Sequence, residues 1–205
     1  MQLNHKVTKE QMMQHLNEEY PEAIELVKTM LKLIGDDPTR EGLLDTPYRV
    51  VKSWMEIYGG YQQDPKDILS TSFEEGMEHM TDEIVMCKNI SFTSVCEHHM
   101  LPFTGKAHIG YLPNKKVIGL SKLARLTDCF ANRLQIQEKM CADIADSLMA
   151  ELEPDGVGVI IEASHLCMAC RGVKKPGATM TTSAMRGKFK SQPQTRNEFL
   201  LLIKN

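Results

Sequence analysis

Apolar residues recur at every third or fourth position through the first third of the chain. Ile24, Val27, Leu31 and Ile34 keep this spacing behind Pro21, which suits a helix's first turn, and Gly35 stops the run. Upstream, Thr8 and Gln11 have the spacing of a capping box. Asp36-Asp37-Pro38 reads as a turn. Thr46-Pro47 then caps a second helical face made by Val50, Val51, Trp54, Met55 and Tyr58, ended by Gly59-Gly60. Asp64-Pro65 starts one more short turn of helix.

The period then changes. Residues 83–94 and 105–111 are rich in β-branched and aromatic side chains and predict strands. Pro113-Asn114 turns the chain, and residues 117–119 return. Ser121 caps a helix that runs to about Asn132. Ile136, Met140, Ile144, Leu148 and Leu152 form one stripe of the next helix, closed by Pro154 and Gly156. Residues 157–165 and 179–185 predict two more strands. Thr195 and Glu198 have capping-box spacing before Phe199-Leu200-Leu201-Leu202-Ile203, a short terminal helix. Helices followed by antiparallel strands with a helix pair predict an α+β fold, with a helical region over 1–70 and a second domain over 71–205.

Composition narrows the function classes. The 205 residues suffice for one sizeable core, or one core with a smaller helical region. The net charge of -3 offers no global positive field to nucleic acid or to a membrane, so any anion site has to be a local basic cluster. An aromatic share of 6% argues against a base-stacking surface. No apolar run approaches the roughly 20 residues needed to span a bilayer, and the first residues lack a signal-peptide pattern. The expectation is a cytoplasmic protein. In that reducing compartment the six cysteines, at 87, 96, 129, 141, 167 and 170, form no disulfide framework, and clustered ones read as metal ligands or catalytic groups.

The densest chemistry is Cys96-Glu97-His98-His99, just after a predicted strand. Thiolate and imidazole are zinc's preferred ligands, and the spacing of Cys96 and His99 lets one turn aim both at one ion. A second cluster, His165-Leu166-Cys167-Met168-Ala169-Cys170, ends another strand. Either cluster alone reads equally well as buried thiols and surface imidazoles. Together they point to zinc. If the strand ends meet, Cys96, His99 and Cys167 supply three ligands and leave a place for water, the catalytic pattern. Spacing leaves open a closed structural site with Cys170 or His165 as fourth ligand. Basic residues lie nearby in sequence: Ser121-Lys122 and Arg125 open a helix, Arg171 follows the second cluster, and Arg49 and Lys52 share a helix face. Singly each reads as a solvated charge; jointly they are what a triphosphate needs. The absence of a G-x-x-x-x-G-K-[ST] loop disfavours a P-loop nucleotidase. Gln137 and Glu138 can read a guanine edge, although on pattern alone they are ordinary first-turn residues.

These blocks resemble GTP cyclohydrolase I. The likeness runs through Cys96-Glu97-His98-His99, Pro102, Gly105, His108, Tyr111, Pro113, Gly119-Leu120-Ser121-Lys122 and Arg125. It continues in Arg133, Gln135, Gln137, Glu138 and the stretch from His165 to Val173, with Arg40-Glu41-Gly42-Leu43, Thr46-Pro47 and Arg49 upstream. The resemblance implies zinc-dependent hydrolysis and rearrangement of GTP to 7,8-dihydroneopterin triphosphate and formate, the first step of tetrahydrofolate and pterin biosynthesis. It implies zinc on Cys96, His99 and Cys167, and catalysis by His98, His165 and Ser121. It assigns guanine to Gln137 and Glu138, and the triphosphate to Ser121, Lys122, Arg125 and Arg171, with Arg49 and Lys52 from a neighbouring subunit. It also implies a T-fold, an antiparallel four-stranded sheet with two helices on one face, in a homodecamer. Cys170 departs from the pattern and receives no ligand role. Two rivals follow: another enzyme on the same fold, or a non-enzymatic zinc module with Cys170 as a fourth ligand.

Overall fold

A computed structural model describes residues 8–73 and 83–204. The chain divides into two compact units, one ending at Ile57 and the other beginning at Tyr58.

The first unit is helical. Helix α1 (Lys9–Glu19) starts with the expected capping box between Thr8 and Gln11. Pro21 opens α2 (Pro21–Leu33), and Gly35 leaves it at a φ of 90°, a conformation that suits glycine. After a 3₁₀ turn (Glu41–Leu43) comes α3 (Thr46–Ile57). Leu16, Ile24, Val27 and Val51 form this unit's core. Ile34, expected on the apolar face, lies past the helix end and is exposed.

The second unit begins with a 3₁₀ turn (Gly59–Gln62) and α4 (Pro65–Leu69), whose cap is Asp64. Strand β1 (Ser72–Phe73) pairs with β4 (Val117–Ile118) in a small separate sheet. The chain after Pro113-Asn114 therefore does not return along its own strand, as the turn suggested. The main sheet contains β2 (Val85–Cys96), β3 (Pro102–Leu112), β5 (Leu134–Gln135), β6 (Gly156–His165) and β7 (Met180–Gly187), in the order β5-β2-β3-β6-β7. The expected four antiparallel strands are β2, β3, β6 and β7. The correction is a fifth, β5, which runs parallel to β2. Two residues are too few to show a hydrophobic period, so β5 is set by tertiary pairing alone.

Alternation along the strands divides the sheet's faces. Phe103, Ala107, Ile109 and Tyr111 of β3, with Val157, Val159, Ile161 and Ala163 of β6, face the main core. Helices α5 (Leu120–Ala131) and α6 (Gln137–Leu152) cover that face with Leu123, Leu126, Met140, Ile144 and Leu148. Ser121 lies inside the first turn of α5, and Gly119 takes the cap position instead. Glu153 ends α6 in a left-handed conformation, φ 48°. On the other face, α8 (Lys188–Ser191) and α9 (Pro193–Lys204) pack Phe189 and Phe199 over Gly158. Thr195 sits within α9 and bonds Gln192 rather than capping the helix. No helix among the described residues is long and apolar enough to cross a membrane.

Candidate metal centre and adjoining cavity

Between Cys96 at the end of β2 and Pro102 at the start of β3 the chain turns sharply. The Met100 N–H donates to the Cys96 carbonyl at 2.8 Å, and the Cys96 N–H donates to that of Leu101 at 2.9 Å. Met100 takes a φ of 52°, a left-handed conformation costing a side-chain-bearing residue about 1–2 kcal/mol. Strand β5 braces the turn: Cys96 is in register with Gln135, whose carbonyl accepts from the Glu97 N–H at 3.0 Å. So wound, the turn brings Cys96 Sγ and His99 Nδ1 to 3.8 Å.

The β3–β6 register completes the group. Phe103 pairs with His165, so β6 ends beside this turn. A single helical turn, α7 (Leu166–Ala169), then carries Cys167. The donor atoms of Cys96, His99 and Cys167 all lie within 4.8 Å of one another. Ligands of tetrahedral zinc stand about 3.5 Å apart, so small side-chain shifts close this set on one ion. Cys96 is buried and Cys167 half-buried. Burial pushes the Cys167 thiol above its ordinary value, and the neighbouring Cys96 pushes it further. Two adjacent thiols resist joint ionisation, and a cation between them reverses that. The donor set therefore fits a thiophilic divalent metal. Among the described residues the group has three members. Cys170 is exposed at the end of α7 and lies outside it, as does His165.

A cavity of about 210 Å³ adjoins the group, lined also by His98, Gln137, Glu138, His165, Met168 and Met180. His165 lies flat on Phe103, and its Nε2 is 2.8 Å from Gln137 Oε1. Burial lowers its basicity, and the Glu138 carboxylate opposes that effect. His98 is more exposed, with its Nε2 3.7 Å from Glu97 Oε1. Glu138 is exposed at the first turn of α6. Gln137 lines the cavity but is 1% exposed, and its amide nitrogen donates to the Ile161 and Met180 carbonyls at 3.0 Å each.

Ser121, Lys122 and Arg125 lie away from this cavity. The backbone before α5 bonds Tyr111 at the far end of β3, where the Ile118 N–H donates to the Tyr111 hydroxyl at 3.0 Å. Tyr111 is eight residues, or about 26 Å of strand, from Phe103. Ser121, Lys122 and Arg125 therefore open α5 at the opposite end of the sheet from the cysteines. Arg171 is exposed just beyond α7. Arg49 and Lys52 lie on α3 in the first unit, where Arg49 bonds Asp45 at 3.2 Å. Sequence reasoning missed Phe103, because stacking across a strand pair leaves no trace in local pattern.

The fold and this group define an α+β protein whose sheet ends in a cysteine–histidine cluster able to hold one metal ion. The profile of GTP cyclohydrolase I matches residues 23–204, and the chain belongs to that family. A GTP cyclohydrolase 1 from Wolinella succinogenes is 58% identical over 176 residues, covering 86% of this chain and 92% of that protein. One from Allorhizobium ampelinum is 50% identical over 184 residues, covering 90% of each. Among solved structures, the archaeosine synthase QueF-Like in the apo form aligns with 52% of this chain and 96% of its own, at 18% identity and a TM-score of 0.44.

Proposed function

We propose that this chain hydrolyses and rearranges GTP to 7,8-dihydroneopterin triphosphate and formate, consuming one water overall. Family membership supports the reaction. The single structural observation that carries it is the meeting of Cys96, His99 and Cys167 beside a cavity that also holds His165 and Glu138. Cys96, His99 and Cys167 would hold zinc. Zinc, when bound, supplies Lewis acidity toward water near neutral pH.

The remaining work falls to the chain's own groups. His165 takes up a proton on the ring nitrogen that Gln137 leaves free and delivers it to purine N7. His98, closer to solvent, passes protons in and out of the cavity. The Glu138 carboxylate accepts from the ring N–H and amino group of guanine, which adenine cannot match. Ser121, Lys122, Arg125 and Arg171 bind the triphosphate, joined by Arg49 and Lys52. Their binding energy holds the base against the metal end of the site.

These roles require more than one copy of the chain. The cavity is smaller than the roughly 300 Å³ at which small-molecule pockets begin, and Ser121, Lys122 and Arg125 sit at the other end of the sheet. A homo-oligomer, the decamer that the resemblance implies, brings one copy's basic residues to another's cysteines. Residues 71–205 are then a T-fold catalytic domain, with the helical region of residues 1–70 before it. Metal-replete protein mixed with GTP should gain pterin absorbance and release formate, and a chelator should stop both. Intact GTP after such incubation would refute the activity.

A further inference from the structure

We infer that Gln137 is a positioning residue, which holds His165 as the tautomer protonated on Nε2 and leaves Nδ1 as its proton-accepting nitrogen. This rests on the proposed proton exchange at His165. The argument starts from groups with no freedom. The Gln137 amide nitrogen lies 3.0 Å from the Ile161 carbonyl of β6 and 3.0 Å from the Met180 carbonyl of β7, with Thr182 Oγ1 at 3.2 Å. Backbone carbonyls only accept, so both amide N–H groups must point at them. Reversing the amide would set oxygen against oxygen in a site that is 1% exposed, leaving buried acceptors unpaired.

The orientation of Oε1 follows. It sits 2.8 Å from His165 Nε2 and can only accept, so that nitrogen carries the hydrogen. A neutral imidazole has one N–H, and Nδ1 keeps its lone pair. Phe103 fixes the ring plane, with centroids 4.5 Å apart and planes 5° apart. Gln137 fixes rotation within that plane. Nδ1 has no hydrogen-bond partner among the described residues and is not sealed from solvent. The Gln137 amide is thus spent on His165 and two strands, and reading of the base falls to Glu138 alone.

Neutron diffraction from perdeuterated, zinc-bound crystals, grown well above the ordinary histidine range, tests this directly. Deuterium is expected on His165 Nε2 and on the Gln137 amide facing Ile161 and Met180. Deuterium on His165 Nδ1 overturns the inference. This readout needs no turnover, so it stands even if the protein leaves GTP intact, a result that would instead refute the proposed activity. In kinetics, Gln137→Met should lower kcat about tenfold or more, with KM for GTP within about twofold and the preference for GTP over ATP retained. Unchanged kcat with raised KM and lost base preference would overturn the inference, because Gln137 would then be reading guanine. Should that variant fail to fold, the neutron map of the unaltered protein still decides.

Discussion

The imidazole of His165 rests parallel on the Phe103 ring, and the two residues are register partners on β6 and β3. The first residues of one strand thus set the plane of a histidine at the end of its neighbour. Phe103→Leu removes the flat support while keeping an apolar filler. Destabilisation of about 1–3 kcal/mol is expected, read as a lower urea midpoint. Turnover of the folded variant should fall more than its zinc content, which metal analysis would show unchanged. Equal turnover would mean that the stacking holds nothing that matters to the reaction.

Cys167→Ala should lose zinc and formate release together. The two remaining donors, Cys96 and His99, come from one turn and cannot enclose an ion. Cys170→Ala should keep both, since Cys170 lies outside the group. Stoichiometric zinc in the first variant, or its loss in the second, would redraw the ligand set.

Glu138→Ala should keep zinc and the fold, because its side chain is exposed at the mouth of the cavity. Discrimination between GTP and ATP should collapse, by about a hundredfold or more in kcat/KM. Competition between the two nucleotides in one assay would measure it.

His108 gives a pH dependence of stability. Burial lowers its pKa from the ordinary 6.5; the Glu162 carboxylate opposes this, and Lys106 and Lys88 reinforce it. Its Nδ1 faces the N–H of Asn89, where β2 bulges, and its Nε2 is buried without a partner among the described residues. The unfolded chain binds a proton at a higher pH than the folded chain does. Stability is therefore whole above pH 6.5 and declines below it, by at most about 1.4 kcal/mol per pH unit for one proton. Urea titrations of metal-free protein between about pH 5 and 8 should show this slope, and His108→Gln should flatten it. An unchanged slope would assign the effect to other groups.

Much of this architecture was legible from period and spacing. The buried stripe of α6, Met140, Ile144, Leu148 and Leu152, is the one its sequence spells. Cys96 and His99 were already a pair on one turn, and only the β3–β6 register was needed to deliver Cys167. What escaped depends on partners distant in sequence. Strand β5 is two residues with no period. Ser121 looked like a cap, but the helix begins one residue earlier. Gln137 looked like a first-turn polar residue free to reach a ligand. Strands β6 and β7 instead present two carbonyls to it, and buried carbonyls must be satisfied.

The distance along β3 between Tyr111 and Phe103 has a genetic consequence. If the basic end of one chain serves the cysteine end of another, two defective chains can repair each other. A Cys167→Ala chain retains its arginines and lysine, and an Arg125→Ala chain retains its metal ligands. Dissociated and reassembled together, the two should regain a fraction of activity that neither has alone, because some mixed neighbours pair one intact half with the other.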